Sequence, residues 1–389
     1  MTDRMLVEIA QRYGTPCYVY DLESISQQIA KLKQALPEAE IYYALKANSS
    51  GGIIRHMAQH GLGAEVISLG ELARALQANL NKLILTGPGH PDAFRKAALQ
   101  AAYRKDIRVS LDSISQWQAW QSLAWPQKLG FLIRLNPALD PKTHEHLATG
   151  MASSKFGMSL AEAEAVACEI PSEHFLGFHV HAGSQIGELH IFSEVFERLA
   201  PLYERFKARY LDIGGGYHVP DFPLEAYAHL LRGFAERFKL RLMLEPGRYL
   251  VADSGFLLTS VLHLKEGERH HIICDAGMAE LLRPALYGAK HPIRALTVGG
   301  ILGSQGDLNL ADVDGPLCEN ADRLGVDVML PPVVEGDLLL VERTGAYGLA
   351  MSSNYGSSLR PPEVLIQGQS FRLARRRETL ADLLSLEPV

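Results

Sequence analysis

The chain is 389 residues long, 47% hydrophobic and 21% charged, with a formal net charge of −6. That balance is ordinary for a globular protein, and the acidic excess argues against general nucleic-acid binding, which needs clustered lysine and arginine. The four cysteines (Cys17, Cys168, Cys274, Cys318) show no CxxC spacing, the start Met1-Thr2-Asp3-Arg4 carries no apolar leader, and no apolar run reaches membrane-spanning length. A reducing, cytoplasmic setting without a membrane partner is expected.

Taken in order, Leu6, Ile9, Ala10 and Tyr13 recur at helical spacing, and Gly14-Thr15-Pro16 ends that helix. A short strand from Cys17 to Tyr20 follows. Asp21 is placed to cap a second helix with the apolar stripe Leu22, Ile25, Ile29, Leu32 and Leu36, stopped by Pro37. A strand–helix rhythm then begins. Apolar strands are predicted at 41–45, 64–67, 83–86, 107–111, 129–135, 176–180, 210–213 and 240–244, with a long loop after 135. Eight buried strands, each returning through a helix, imply a closed parallel (β/α)8 barrel, whose functional groups gather at the C-terminal strand ends. Past residue 250 the period changes. Strands at 255–264, 270–274, 295–298, 337–342 and 363–373, the last broken by Gln367-Gly368, read as a second, antiparallel β domain. The expected organisation is a segment over 1–30 contributing to the β domain, a barrel over 31–250, and a β-sandwich or β-barrel over 251–389.

The stretch Ile41-Tyr42-Tyr43-Ala44-Leu45-Lys46 reads as a buried strand ending on a lysine. Desolvation at such a strand mouth disfavours the charged amine, which suits Schiff-base chemistry with a carbonyl substrate or pyridoxal phosphate. A snorkelling surface lysine is the plain alternative. In His179-Val180-His181-Ala182-Gly183-Ser184-Gln185, alternation sends His179 and His181 into the barrel mouth, away from Phe178 and Val180. Such an imidazole is either a hydrogen-bonded filler or, as His181 suits, a plate stacked on a flat cofactor ring. Gly214-Gly215-Gly216, after Leu211-Asp212-Ile213, offers successive N–H groups to an anion where barrels hold phosphate, or else forms a flexible turn. Glu245-Pro246-Gly247-Arg248 supplies a carboxylate able to keep a pyridinium nitrogen protonated and a fork for phosphate or carboxylate. A structural Glu–Arg salt bridge is the bland reading there. No compact histidine and carboxylate spacing marks a metal site.

Three further stretches complete the set: Arg283-Pro284-Ala285-Leu286-Tyr287, Gly315-Pro316-Leu317-Cys318-Glu319 and Met351-Ser352-Ser353-Asn354-Tyr355. In this order the motifs resemble those of the fold-type III pyridoxal-phosphate decarboxylases, with the alanine racemase-like barrel, and within them the diaminopimelate decarboxylase family. The likeness runs from Tyr13 to Val364. It implies that Lys46 is the Schiff-base lysine, that His181 stacks on the ring, that Ser184, Gly214, Gly215, Gly216 and Gly247 lie near the phosphate, and that Glu245 faces the pyridinium nitrogen. It further implies that Arg248, Arg283 and Tyr287 grip a substrate carboxylate, Cys318 donates the proton, Glu319 meets the far ammonium end and Tyr355 contacts phosphate and substrate. A head-to-tail homodimer with shared sites is also implied.

Two arginines with an acid suit a substrate carrying a second carboxylate and a second amine. The implied reaction is therefore decarboxylation of meso-2,6-diaminopimelate to L-lysine and carbon dioxide, the last step of lysine biosynthesis. The chain departs from the family pattern at Glu65 (usually aspartate), His90 (often lysine), Asn320-Ala321 (usually Ser-Gly) and Gly356 (usually larger and polar). Alternatives are a decarboxylase for another carboxylated amine, such as a siderophore precursor or an ornithine-like diamine precursor, an amino-acid racemase, and a non-catalytic cofactor-binding homologue.

Overall fold

The computed structural model describes residues 1–138, 154–303 and 306–387. They form two compact units: Gln27–Leu250, and Met1–Ser26 together with Val251–Val389. The first strand, β1 (Cys17–Asp21), belongs to the second of these, and the next eight build the first.

Those eight are β2 (Glu40–Ala44), β3 (Gly63–Val66), β4 (Lys82–Leu85), β5 (Asp106–Leu111), β6 (Gly130–Leu135), β7 (Phe175–Val180), β8 (Tyr210–Asp212) and β9 (Arg241–Leu244). They pair parallel in chain order, and β2 closes on β9. Strands wrapped by helices are buried on both faces, so β6 and β7 are buried along their whole length. Much of the loop expected after Leu135 lies outside the described residues. Serine side chains at Ser68, Ser113 and Ser159 accept a backbone N–H and open three of the helices, Ser159 with Glu162 as a full capping box.

Alternation along the strands sorts the barrel interior into layers. At the N-terminal end, Glu40 takes ion pairs from Lys82 at 3.0 Å, Arg108 at 2.9 Å and Arg241 at 2.7 Å. Above it Tyr42, Ile84, Leu132, Tyr210 and Met243 form an apolar cluster. Two residues further along those strands the chain delivers Ala44, Thr86, Arg134, Asp212 and Glu245, joined by Glu65, Ser110 and His179. All of these but Ala44 are polar, and all are buried.

The second unit holds one nine-stranded sheet made of β1, β10 (Gly255–Lys265), β11 (His271–Cys274), β12 (Ile293–Ala295), and five strands from further along the chain. A separate two-stranded ribbon joins β13 (Thr297–Val298) to β14 (Ile301–Leu302). The five are β15 (Asn309–Asp314), β16 (Arg323–Leu330), β17 (Leu338–Val341), β18 (Glu363–Gln367) and β19 (Ser370–Arg375). Their order is β16-β15-β11-β10-β1-β18-β19, with β17 bonded to β10 and β12. Most pairs are antiparallel, as the sequence predicts, but β1–β18 and β11–β15 are parallel, so the sheet is mixed. The helix Asp3–Tyr13 lays Met5, Leu6, Ile9 and Ala10 against Val19, Leu258, Leu340 and Val364. Leu6 and Ile9 are wholly buried, each contributing about 1.5–3 kcal/mol of transfer free energy. Among the described residues no helix is long and apolar enough to cross a membrane.

Candidate active site

Lys46 sits in the short turn Leu45–Ala47 that leaves β2, so the strand end carries its amine to the barrel mouth. There the sequence expectation of a simply desolvated lysine meets a partner it had not assigned. Nζ donates to both carboxylate oxygens of Glu65 at 2.8 Å, and Glu65 is fully buried on β3. The Thr86 hydroxyl donates to the same carboxylate. A buried carboxylate needs such partners, and here they fix where the amine points. Its signal in the sequence is the acidic residue inside the otherwise apolar run Gly63-Ala64-Glu65-Val66.

The two histidines of β7 take different roles. His179 Nδ1 lies 2.7 Å from the Ser110 hydroxyl, the hydrogen-bonded filler arrangement, while its Nε2 comes within 3.7 Å of Glu245. His181, one step beyond the strand, accepts the Gly215 N–H at Nδ1 over 3.2 Å. Burial, with the cations of Arg134 and Lys46 nearby, pushes the His181 imidazole down to about 3, so it stands there as a neutral flat ring.

The glycine run is built around this ring. Gly214 and Gly216 have φ of 67° and 87°, and a Cβ at Gly214 would strike the His181 ring. Of the expected anion-binding N–H groups, two are already engaged within the chain. Gly214 donates to Asp212 at 2.9 Å and Gly215 to His181. The loop is thus a rigid shelf whose shape is set from below.

Glu245 ends β9, and its backbone N–H donates to the Gly214 carbonyl at 2.7 Å. Its carboxyl is buried, and Oε1 has no partner among the described residues. Burial first, and then the carboxylates of Asp212 and Glu65, push Glu245 well above the usual range. Burial likewise raises Asp212, to about 6. Distances within the sequence hide this compactness: one polar atom each of His179, Asp212 and Glu245 fall within 4.8 Å of one another. Spacing along the sequence shows no sign of this grouping, because three adjacent strand ends bring the residues together. Arg134, ion-paired with Asp112 at 3.0 Å, adds the nearby positive charge. Gly247 packs against Ala44 and Ala47 with no room to spare, Arg248 opens the next short helix, and Ser184 is exposed.

The remaining predicted residues lie on the β unit. Arg283 and Tyr287 bound the short helix Arg283–Tyr287, with Tyr287 exposed and the Arg283 guanidinium 3.5 Å from His291 Nε2. Cys318 and Glu319 are exposed on a loop that Asp322 fastens. The buried Asp322 carboxylate accepts the N–H of Met278 at 2.5 Å and of Leu317 at 2.7 Å. Side chains at Gly277 and Gly315 would collide with it. Sequence reading had given Asp322 no role. Tyr355 is exposed on a turn whose Gly356 abuts Leu317, next to Cys318.

An amine at a strand end, a neutral imidazole, a glycine shelf and a buried carboxyl with an orphaned oxygen fit a pyridoxal ring with its phosphate. A family model described as "Pyridoxal-dependent decarboxylase, pyridoxal binding domain" matches residues 22–252. The chain is 39% identical to a diaminopimelate decarboxylase of Deinococcus radiodurans, over 98% of each, and 36% identical to one of Aquifex aeolicus, over 96% of this chain and 91% of that one. Among solved structures it is similar to diaminopimelate decarboxylase from Helicobacter pylori complexed with L-lysine (TM-score 0.87, 32% identity, 98% and 99% of the two chains covered). It is likewise similar to diaminopimelate decarboxylase from m. jannaschii in co-complex with L-lysine (TM-score 0.86, 30% identity, 99% and 94% of the two chains covered). The chain belongs to the pyridoxal-dependent decarboxylases, in the diaminopimelate decarboxylase family.

Proposed function

We propose that this protein is a pyridoxal-phosphate-dependent decarboxylase that converts meso-2,6-diaminopimelate to L-lysine and carbon dioxide, the last step of lysine biosynthesis. The observation that carries this reading is a single one: the Lys46 amine at the end of β2 and the orphaned Glu245 carboxyl at the end of β9 share one barrel mouth. Bound through Lys46, pyridoxal phosphate supplies an electron sink for the pair left on the α-carbon when carbon dioxide departs.

The chain's own residues supply the rest. Glu65 holds the Lys46 amine in place, and Lys46 would be the residue that holds the cofactor and gives way to the substrate amine. Neutral His181 covers one face of the ring without competing for the electron pair. Glu245 holds a proton at the ring nitrogen, which strengthens the sink as charge develops. Ser184, Gly214, Gly215, Gly216, Gly247, Arg248 and Tyr355 surround the phosphate. Arg248, Arg283, Tyr287 and Tyr355 take the substrate's distal groups, with Glu319 meeting its far ammonium. Cys318 gives its proton to the α-carbon, replacing the broken carbon–carbon bond with a C–H bond. Cys318, Glu319, Tyr287 and Tyr355 are exposed on their own unit, which supports a head-to-tail homodimer in which they serve the partner's site. Four free cysteines favour a cytoplasmic setting.

The test is carbon dioxide release by cofactor-loaded protein given meso-diaminopimelate, ornithine or lysine separately. Release from diaminopimelate alone, with lysine as product, is expected. Silence on diaminopimelate, with the cofactor's visible band intact, overturns the substrate assignment.

A further inference from the structure

Beneath the cofactor position the barrel carries a feature that the residue roles above leave unused. Asp212 ends β8 and Glu245 directly follows the adjacent strand β9, both are buried, and both have an oxygen with no partner among the described residues, Asp212 Oδ2 and Glu245 Oε1. Two ionised carboxylates in contact repel and leave those oxygens orphaned, whereas one shared proton removes the repulsion and provides a donor. We infer that Asp212 and Glu245 hold a single proton between them in the apoprotein, and that this resident proton is the one the site delivers to the ring nitrogen that docks on Glu245.

The step balances: an O–H bond of the pair breaks, an N–H bond forms, the pair passes from one negative charge to two, and the ring gains one positive charge. Glu65 on β3 is neutralised by Lys46, Arg134 on β6 is paired with Asp112, Arg108 on β5 with Glu40, and neutral His179 and His181 come from β7. The phenols of Tyr203, Tyr217 and Tyr227 also face Asp212, and burial pushes all three up, so they stay neutral. Burial raises both acids, and the Asp212 carboxylate raises Glu245 further, so the pair keeps its proton at neutral pH. Asp212 Oδ1 also accepts the Gly214 N–H, which ties the proton store to the glycine shelf. Asp212 is therefore a positioning residue that acts through Glu245. The inference rests on the pyridoxal reading above.

The experiment is calorimetric titration of apoprotein with pyridoxal phosphate in two buffers of different ionisation enthalpy, at about pH 8, which counts protons exchanged with solvent. In Asp212→Asn the carboxylate that raises Glu245 next after burial is gone and no second acid shares the proton, so Glu245 holds it less firmly before binding and the variant should draw more protons per site from the buffer than the parent, up to about one. Equal uptake in both overturns the inference. Should the variant fail to fold, infrared spectra of the parent, carrying 13C-labelled aspartate and glutamate, give a second readout. A protonated-carboxyl band present in the apoprotein and lost on loading is expected, and a band absent or unchanged overturns the idea. A parent that forms no visible band dependent on Lys46 overturns the pyridoxal reading itself, a result separate from normal binding with equal proton counts.

Discussion

Cys318 is the residue whose role is easiest to isolate. It is exposed, and the groups proposed to face the cofactor, Lys46, His181 and Glu245, all belong to the other unit. Removing its thiol should therefore leave cofactor binding alone and slow only protonation at the α-carbon. Cys318→Ala is expected to keep the visible band while losing about 10²–10⁴-fold in turnover, the usual contribution of a positioned acid. Steady-state carbon dioxide release alongside absorbance titration measures both, and an unaffected rate removes Cys318 from the reaction. Glu65 shows the other side of residue-level reading. The longer acid still meets Lys46 with both oxygens at 2.8 Å, so the departure from the family pattern preserves the ion pair.

At the level of elements, the loop bearing Cys318 depends on Asp322. Asp322→Ala deprives two partly buried N–H groups of their acceptor and opens space beside Gly277 and Gly315. A loss of about 1–3 kcal/mol is expected from urea denaturation, with faster reaction of Cys318 toward a thiol reagent and an unchanged cofactor band. Unchanged stability and thiol reactivity would remove the fastening role. The same scale explains what could be read from the chain alone. All eight barrel strands were visible because strands buried on both faces are near-continuous apolar runs, and their last residues named Lys46, His181 and Glu245. The strands β15 and β16 were not visible. Asn309 and Leu310 are exposed at the start of one, and the other mixes Arg323, Asp327 and half-exposed apolar residues, so neither alternation nor a run appears. The Lys46–Glu65 and Asp212–Glu245 pairings were equally hidden, because they join different strands and exist only once the barrel closes.

Across the whole molecule, the polar layer of the barrel makes stability depend on pH. An imidazole held near 3 in the folded chain and near 6.5 when unfolded favours folding above 6.5, and that contribution is lost as the pH falls toward 3. Asp212, raised from 3.8 to about 6, acts in the opposite sense, favouring the folded state at low pH and losing that contribution as the pH rises through 6. Because these slopes offset one another, the histidine is seen best by difference. His181→Phe should gain on the parent apoprotein by on the order of a few kcal/mol between about pH 6.5 and pH 4, read from urea midpoints, and a pH-independent gap would contradict it. One feature of the β unit has a different reach. One of its inner strands, β1, is flanked by β10 and β18, so a segment that precedes the barrel in the chain pairs with strands that follow the entire barrel. The ribosome thus finishes the barrel while the two parts of the other unit are still waiting for each other, and removing residues 1–21 takes away an inner strand of its sheet.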